Sequence, residues 1–188
     1  MEVSKTKLRQ QYRKKRTVFR KIQNDHKLLA QESVVSKLKA LLAPLPEKIA
    51  SYRALPEELS LEMLYADKSK SWCFPRMVGD ELEFVKSPSE WKTLDFGLEE
   101  PVGPAMELAE IAAVIVPGVI FDHYGQRCGM GRGFYDRFLQ ETKALKIGVG
   151  FGWQVLDQPL PVDSWDIPMD FIVTEKFILD VNHFKKVS

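Results

Sequence analysis

Cysteine, net charge and long apolar runs are all scarce in this chain, and each shortage closes a class of answers. Its 188 residues include two cysteines, Cys73 and Cys128, too few for a disulfide framework or a cysteine zinc site, so free thiols are expected. Lys+Arg total 27 against 26 Asp+Glu, a formal net charge of +1, which gives no general reason to expect a nucleic-acid partner. No apolar stretch is long enough to span a bilayer, and the basic N-terminus lacks the apolar segment of a signal peptide. A soluble cytoplasmic protein with no membrane partner is therefore expected. No repeat, low-complexity tract or linker interrupts the chain, and its length suits one domain over residues 1–188. Residues 125–137 are rich in glycine. They carry neither the Gly-Lys-Ser/Thr of a Walker loop nor the glycine spacing of a dinucleotide fingerprint.

A sizeable core is available, since the chain is 45% hydrophobic with 11 Phe and 4 Trp. Residues 111–116 form a continuous apolar run, the signature of a strand buried on both faces. Residues 48–52, 71–75, 83–86, 146–151 and 170–174 read as further strands. Helices are expected over the basic N-terminal segment, over 25–42, from Glu57 and Glu58 to about residue 66, and over 134–141. Residues 96–104 read as a loop. Alternating strands and helices predict an α/β layered domain with a mostly parallel sheet. Ligands of such sheets bind beyond the carboxyl ends of the strands, which is where residues 125–137 fall.

That segment, GQRCGMGRGFYDR, alternates glycine at Gly129, Gly131 and Gly133 and is flanked by Arg127, Arg132 and Arg137. Successive N–H groups in a glycine turn form an anion-binding nest, and a helix N-terminus adds free donors and partial positive charge. A nucleotide triphosphate fits this pattern, with Asp136 available for its Mg²⁺; a flexible surface loop is the plainer reading. His123 reads as solvent-exposed. Residues 5–21 carry many basic groups and no acidic one. On a helix, Lys5, Arg9, Arg13, Arg16 and Arg20 share one arc, beside an apolar stripe of Leu8, Tyr12, Phe19 and Ile22. This basic ridge is a solvated face, an RNA-binding surface, or a pair of cations at Lys5 and Arg9 reaching into an anionic pocket.

Taken in order, KTKLR at 5–9, PR at 75–76, EP at 100–101, the block PGVIFDHYGQRCGMGRGFYDR at 117–137, GFGWQ at 150–154 and PVDSWDIPMDFIVT at 161–174 resemble the 5-formyltetrahydrofolate cyclo-ligase family, also called methenyltetrahydrofolate synthetase. The resemblance runs from Lys5 to Thr174. It implies a Rossmann-like three-layer α/β fold, related to the sugar-phosphate isomerase and CoA-transferase group. It also implies closure of 5-formyltetrahydrofolate to 5,10-methenyltetrahydrofolate, with ATP as co-substrate and Mg²⁺ as cofactor, in a monomer.

Residue by residue, the resemblance gives ATP phosphates to Lys5, Arg9, Arg127, Gly129, Gly131, Arg132, Gly133 and Tyr135. Arg132 and Tyr135 stand nearest the chemistry, and Asp136 and Asp166 match the Mg²⁺ carboxylates. Glu58 matches a glutamate that recognises the pterin by accepting two parallel hydrogen bonds, with Glu57 beside it as the competing register. Arg53, Phe96, Met130 and Phe134 fall at or near folate contacts; Phe134 stands where relatives often have Tyr. Two other classes remain open: a folate- or nucleotide-binding relative without turnover, and a different phosphotransfer or isomerase reaction on the same layered fold.

Overall fold

The structure, a computed structural model, describes residues 4–20, 24–94 and 98–187. Helix α1 spans Lys5–Arg20. It docks by the stripe its spacing dictates: Tyr12 and Leu8 pack with Val119, Ile120 and Leu160, and Phe19 meets Phe151 and Trp153. Ile22, the expected end of that stripe, lies outside the described residues. Helix α2 spans Asn24–Leu42, followed by strand β1, Lys48–Ala50.

No helix forms over 57–66, which instead runs through a series of turns. The N–H of Glu58 donates to the Leu55 carbonyl, and those of Leu64 and Tyr65 to the carbonyls of Leu61 and Glu62. Burial of Leu59, Leu61 and Leu64 and a 2.7 Å bond from the Tyr52 hydroxyl to the Leu59 carbonyl hold the segment against the sheet. Tertiary packing thus overrides a helical propensity that rests on little more than first-turn acids.

Strands β2 (Ser71–Val78) and β3 (Glu81–Lys86) form a hairpin. β4 (Glu90–Thr93) and β5 (Glu99–Val102) form a second one, so the stretch expected as loop from 96 to 104 contains a strand. Phe96 lies outside the described residues. β6 (Ala113–Pro117) leads into β7 (Ile120–Asp122) and the two-residue β8 (Arg127–Cys128). Helix α3 (Phe134–Glu141), β9 (Leu145–Val149), β10 (Val155–Leu156), β11 (Phe171–Val173), β12 (Ile178–Asp180) and α4 (Val181–Val187) complete the chain.

The main sheet has seven strands in the order β12-β11-β9-β6-β1-β2-β3. Its five inner strands are parallel and each edge strand is antiparallel to its neighbour. Alternation along β6 feeds two cores. Ala113 and Ile115 join Val34, Leu38 and Leu42 of α2; Val114 and Val116 join Phe138 and Leu139 of α3. Helices therefore cover both faces of a mostly parallel α/β sheet, as the alternation of elements predicts. A small sheet, β10-β7-β8, stands at the exit of β6. Cys73 and Cys128 are free and buried, and burial pushes the Cys73 thiol up to about 11. No described helix is long and apolar enough to cross a membrane.

Candidate active site

Because the inner strands are parallel, the loops after β1, β6 and β9 leave the sheet at the same end, and α1 crosses over them. Arg16 reaches the loop after β1, Arg9 the loop after β6, and Tyr12 stacks on Trp153 in the loop after β9. The loop after β6 is braced from inside. The Gln154 amide donates to the carbonyls of Gly118 and Val119 at 2.9 Å each. Fully buried Asp122 accepts the N–H groups of Tyr124, Gln126 and Leu160.

The glycine turn is set by geometry that only glycine supplies cheaply. Gly133 has φ +69° and caps α3. Gly131 has φ +98°, and a Cβ there would lie 3.3 Å from Arg9 Cζ. Arg9 Nε donates to the Gly129 carbonyl at 2.9 Å, which ties α1 to the turn. Arg132 is exposed in the turn. A groove of about 490 Å³ along α1 is lined by Thr6, Arg9, Gln10, Arg13, Lys14 and Thr17.

The proposed metal carboxylates are each held by a cation. Lys5 Nζ bonds Asp163 Oδ2 at 2.7 Å and also Asp166 Oδ2. Burial acts to lower the Lys5 ammonium, but these bonds outweigh it and hold it above its ordinary value. The Asp166 side chain is 9% exposed, so it is not the surface-loop acid that its position before a strand suggests. Arg127, buried at 4% side-chain exposure, bonds Asp136 Oδ1 at 2.6 Å through Nη2, while its Nε is buried without a hydrogen-bond partner. Arg127 also lies over the Tyr135 ring, 5.6 Å from its centroid.

Glu58 turns inward, its side chain 11% exposed. Its Oε2 accepts the Leu55 N–H at 3.0 Å, and its Oε1 lies 3.1 Å from Arg16 Nη2. Tyr52 and Tyr135 feel its charge: burial first, then Glu58, pushes both phenols well up, so both stay protonated. The other expected folate contacts do not converge on this point. Arg53 is engaged by Glu62 at 2.5 Å and by Glu99 at 2.5 Å, over the Trp91 ring. Phe134 sits under the Arg137 guanidinium, and Met130 is 46% exposed. His123, expected in solvent, is instead part-buried, bonded to the Leu156 carbonyl at 3.0 Å and close to the Phe184 ring.

The model of the 5-formyltetrahydrofolate cyclo-ligase family matches residues 1–175. The chain belongs to this family. It is 26% identical over 184 residues to the 5-formyltetrahydrofolate cyclo-ligase of Mycoplasma pneumoniae, covering 93% of this chain and 100% of that one. The match to the cyclo-ligase of Escherichia coli is 43% identical but local, spanning 39% of this chain and 41% of that enzyme's length. Among solved structures, the NMR structure of Aquifex aeolicus 5,10-methenyltetrahydrofolate synthetase superposes with a TM-score of 0.82 at 35% identity, covering 94% of this chain and 92% of that one. A Mycoplasma pneumoniae 5,10-methenyltetrahydrofolate synthetase gives 0.75 at 25%, covering 92% and 99%. Family membership places the chain among the ligases of folate one-carbon metabolism.

Against the cyclo-ligase family's needs, the carboxylates suit a metal that arrives with its nucleotide. Among the described residues no cluster of three or more His, Cys, Asp or Glu is arranged to hold an ion. Mg²⁺ ordinarily uses one or two carboxylates, several waters and substrate phosphates. Asp136 and Asp166 have the right chemistry, each a buried or half-buried carboxylate, and each is paired with a cation, Arg127 or Lys5. Two residues with structural weight here escaped the sequence reading. Asp163 shares Lys5 with Asp166, and its spacing of three residues before Asp166 was the available signal. Arg16 was visible in the basic ridge, but nothing in the sequence pairs it with Glu58.

Proposed function

We propose that the chain closes 5-formyltetrahydrofolate to 5,10-methenyltetrahydrofolate at the expense of ATP, releasing ADP and phosphate. The observation that carries this reading is the crossing of α1 over the sheet end. One helix carries Lys5 to Asp163 and Asp166, Arg9 to the glycine turn and, farther along, Arg16 to Glu58. In this reading the phosphate-binding groups and the pterin-binding carboxylate meet the same helix.

A formyl amide is a weak electrophile and its oxygen a poor leaving group. In the proposed sequence the formyl oxygen attacks the γ-phosphorus and ADP departs, giving an iminophosphate. The N10 lone pair then attacks the formyl carbon, phosphate leaves with the former formyl oxygen, and N10 loses its proton. Such a transfer asks the protein for position and counter-charge rather than a nucleophile. Lys5, Arg9, Arg127 and the N–H groups of the glycine turn hold the phosphates. Arg132, exposed and free to swing, neutralises the transferring phosphoryl. Tyr135 stays a phenol and offers a hydrogen bond. Glu58 receives the aminopyrimidinone edge, and Met130 and Phe134 border the folate. Arg53, engaged by Glu62 and Glu99, contributes to folate binding only indirectly, through the wall it builds with them. Asp136 and Asp166 would hold Mg²⁺, which would supply counter-charge to the phosphates. In this reading the protein works as a monomer in the cytoplasm, on folate with or without a polyglutamate tail, since one chain supplies every group required.

The test mixes protein, 5-formyltetrahydrofolate, ATP and Mg²⁺ and follows the near-ultraviolet absorbance of the methenyl product. Product that needs ATP and is lost in Arg132→Ala is expected. Tight binding of both substrates without product would overturn the reading.

A further inference from the structure

Arg16 is the deepest member of the basic ridge. Its side chain is 3% exposed, whereas Arg13, Lys14 and Lys15 beside it are exposed. Burying a guanidinium is costly, and arginine cannot escape by losing its proton, so its surroundings must supply both counter-charge and acceptors. They come from two adjacent residues. Nε donates to the Glu57 carbonyl at 3.3 Å, and Nη2 lies 3.1 Å from Glu58 Oε1. The first contact fixes the backbone of the turn and the second fixes the carboxylate that the turn presents. The Leu55 N–H holds the other carboxylate oxygen at 3.0 Å. Oε2 of Glu58 thus has one protein donor, while Oε1 has the Arg16 charge beside it but no directed hydrogen bond. A carboxylate has about four lone-pair sites, so each oxygen keeps capacity for one more bond, which is what a flat edge with two parallel donors requires.

Arg16 Nη2 makes no directed hydrogen bond despite its closeness to Glu58. Its contribution is charge and placement, and it leaves the acceptor capacity of Glu58 to a ligand. Once a flat ring covers Glu58, water no longer screens that carboxylate, and an unpaired buried charge would then cost several kcal/mol. We propose that Arg16 is a positioning residue for folate recognition: from α1 it provides the counter-charge and the orientation that let Glu58 accept the aminopyrimidinone edge. This rests on the assignment of Glu58 to the pterin.

The experiment compares Arg16→Met, Arg16→Lys, Glu58→Gln and the Arg16→Met/Glu58→Gln double variant. Dissociation constants for 5-formyltetrahydrofolate and for ATP are measured separately by calorimetry, with steady-state KM and kcat alongside. Arg16→Met is expected to weaken folate by about tenfold or more and ATP by less than about twofold, with the KM for folate rising more than kcat falls. Arg16→Lys keeps the charge but cannot bridge Glu57 and Glu58 with one planar group, so it recovers part of the loss. In the Glu58→Gln background, Arg16→Met should add less than about twofold, because the group it positions is already altered. If the two losses instead multiply while Glu58→Gln alone weakens folate, Arg16 acts elsewhere and the inference fails, with the Glu58 assignment intact. An unchanged folate affinity in Glu58→Gln would sink that assignment and the inference with it. Should Arg16→Met not fold, Arg16→Lys carries the test: equal weakening of folate and ATP would mark a merely structural role.

Discussion

Replacing Asp136 by asparagine isolates one buried charge. Arg127 Nη2 lies 2.6 Å from Asp136 Oδ1, with side-chain exposures of 4% and 20%, and Arg127 Nε has no partner to compensate. Asparagine keeps an acceptor of the same size, so packing is preserved and only the negative charge is lost. Breaking a buried pair outright costs about 3–5 kcal/mol. The retained acceptor and the partial exposure of Asp136 reduce this, and we expect about 2 kcal/mol. Asp136 also lies in the first turn of α3, where an acid gains roughly 0.5 kcal/mol from the helix dipole. The sum corresponds to a fall in Tm of roughly 4–10 °C for a chain of this size. Urea unfolding of the ligand-free protein measures it directly. Metal-free ATP should stabilise the variant more than the wild type, since a phosphate can replace the missing counter-charge of Arg127. At limiting Mg²⁺ the variant should lose activity that excess metal partly restores. A variant as stable as the wild type to within about 0.5 kcal/mol would refute the reasoning about the pair. Wild-type activity at limiting Mg²⁺ would remove Asp136 from the metal site.

Lys5→Ala leaves Asp163 and the 9%-exposed Asp166 side by side without their cation; a stability loss of about 1–3 kcal/mol is expected, and Mg²⁺ alone should raise the Tm of this variant more than that of the wild type. Gly133→Ala places a Cβ at φ +69°, 2.9 Å from Arg137 Nη1; the left-handed backbone alone costs about 1–2 kcal/mol, and thermal unfolding together with the methenyl assay should both register the damaged turn. Tyr52, Tyr65 and Tyr135 have phenols raised chiefly by burial. The folded state therefore keeps protons that the unfolded chain releases above about pH 10. The resulting stability is complete below that pH and is lost as pH rises towards the folded values. An ultraviolet titration should show these phenols ionising only as the protein unfolds, and early ionisation of all 5 tyrosines would contradict their burial.

What the sequence made legible was whatever a local pattern encodes. The apolar run in β6, the docking stripe of α1 and the glycine entry to α3 each follow from spacing within a few residues. Glu58 was identified in the sequence, but its segment was read as a helix. Its conformation is fixed by Leu59, Leu61 and Leu64 packing on the sheet and by Tyr52, none of which the propensity of Pro56-Glu57-Glu58 reflects. The strands β7, β8 and β10 are two or three residues long, too short for any period to register. Long-range pairs were out of reach in principle. Lys5 with Asp166 and Arg16 with Glu58 join positions 161 and 42 residues apart, and one sequence carries no signal linking them. Arg53 shows the converse. It was read as lying near a folate contact, but Glu62 and Glu99 engage its guanidinium, and a single sequence does not reveal such competitors.

The pairing of Lys5 with Asp163 and Asp166, and of Arg127 with Asp136, also shapes how a nucleotide is captured. A cleft lined with bare cations projects a positive potential and draws polyanions from a distance. Here Lys5 and Arg127 are already matched, so any long-range pull comes from exposed groups such as Arg13, Lys14 and Arg132 and not from them. For these two cations, discrimination falls to the moment of contact. In the proposed reading, the ammonium and guanidinium groups would turn there from carboxylate to phosphate, leaving Asp136 and Asp166 for the accompanying metal. Such an exchange keeps the site close to electroneutral throughout. It would reward nucleotide and metal arriving together over either alone.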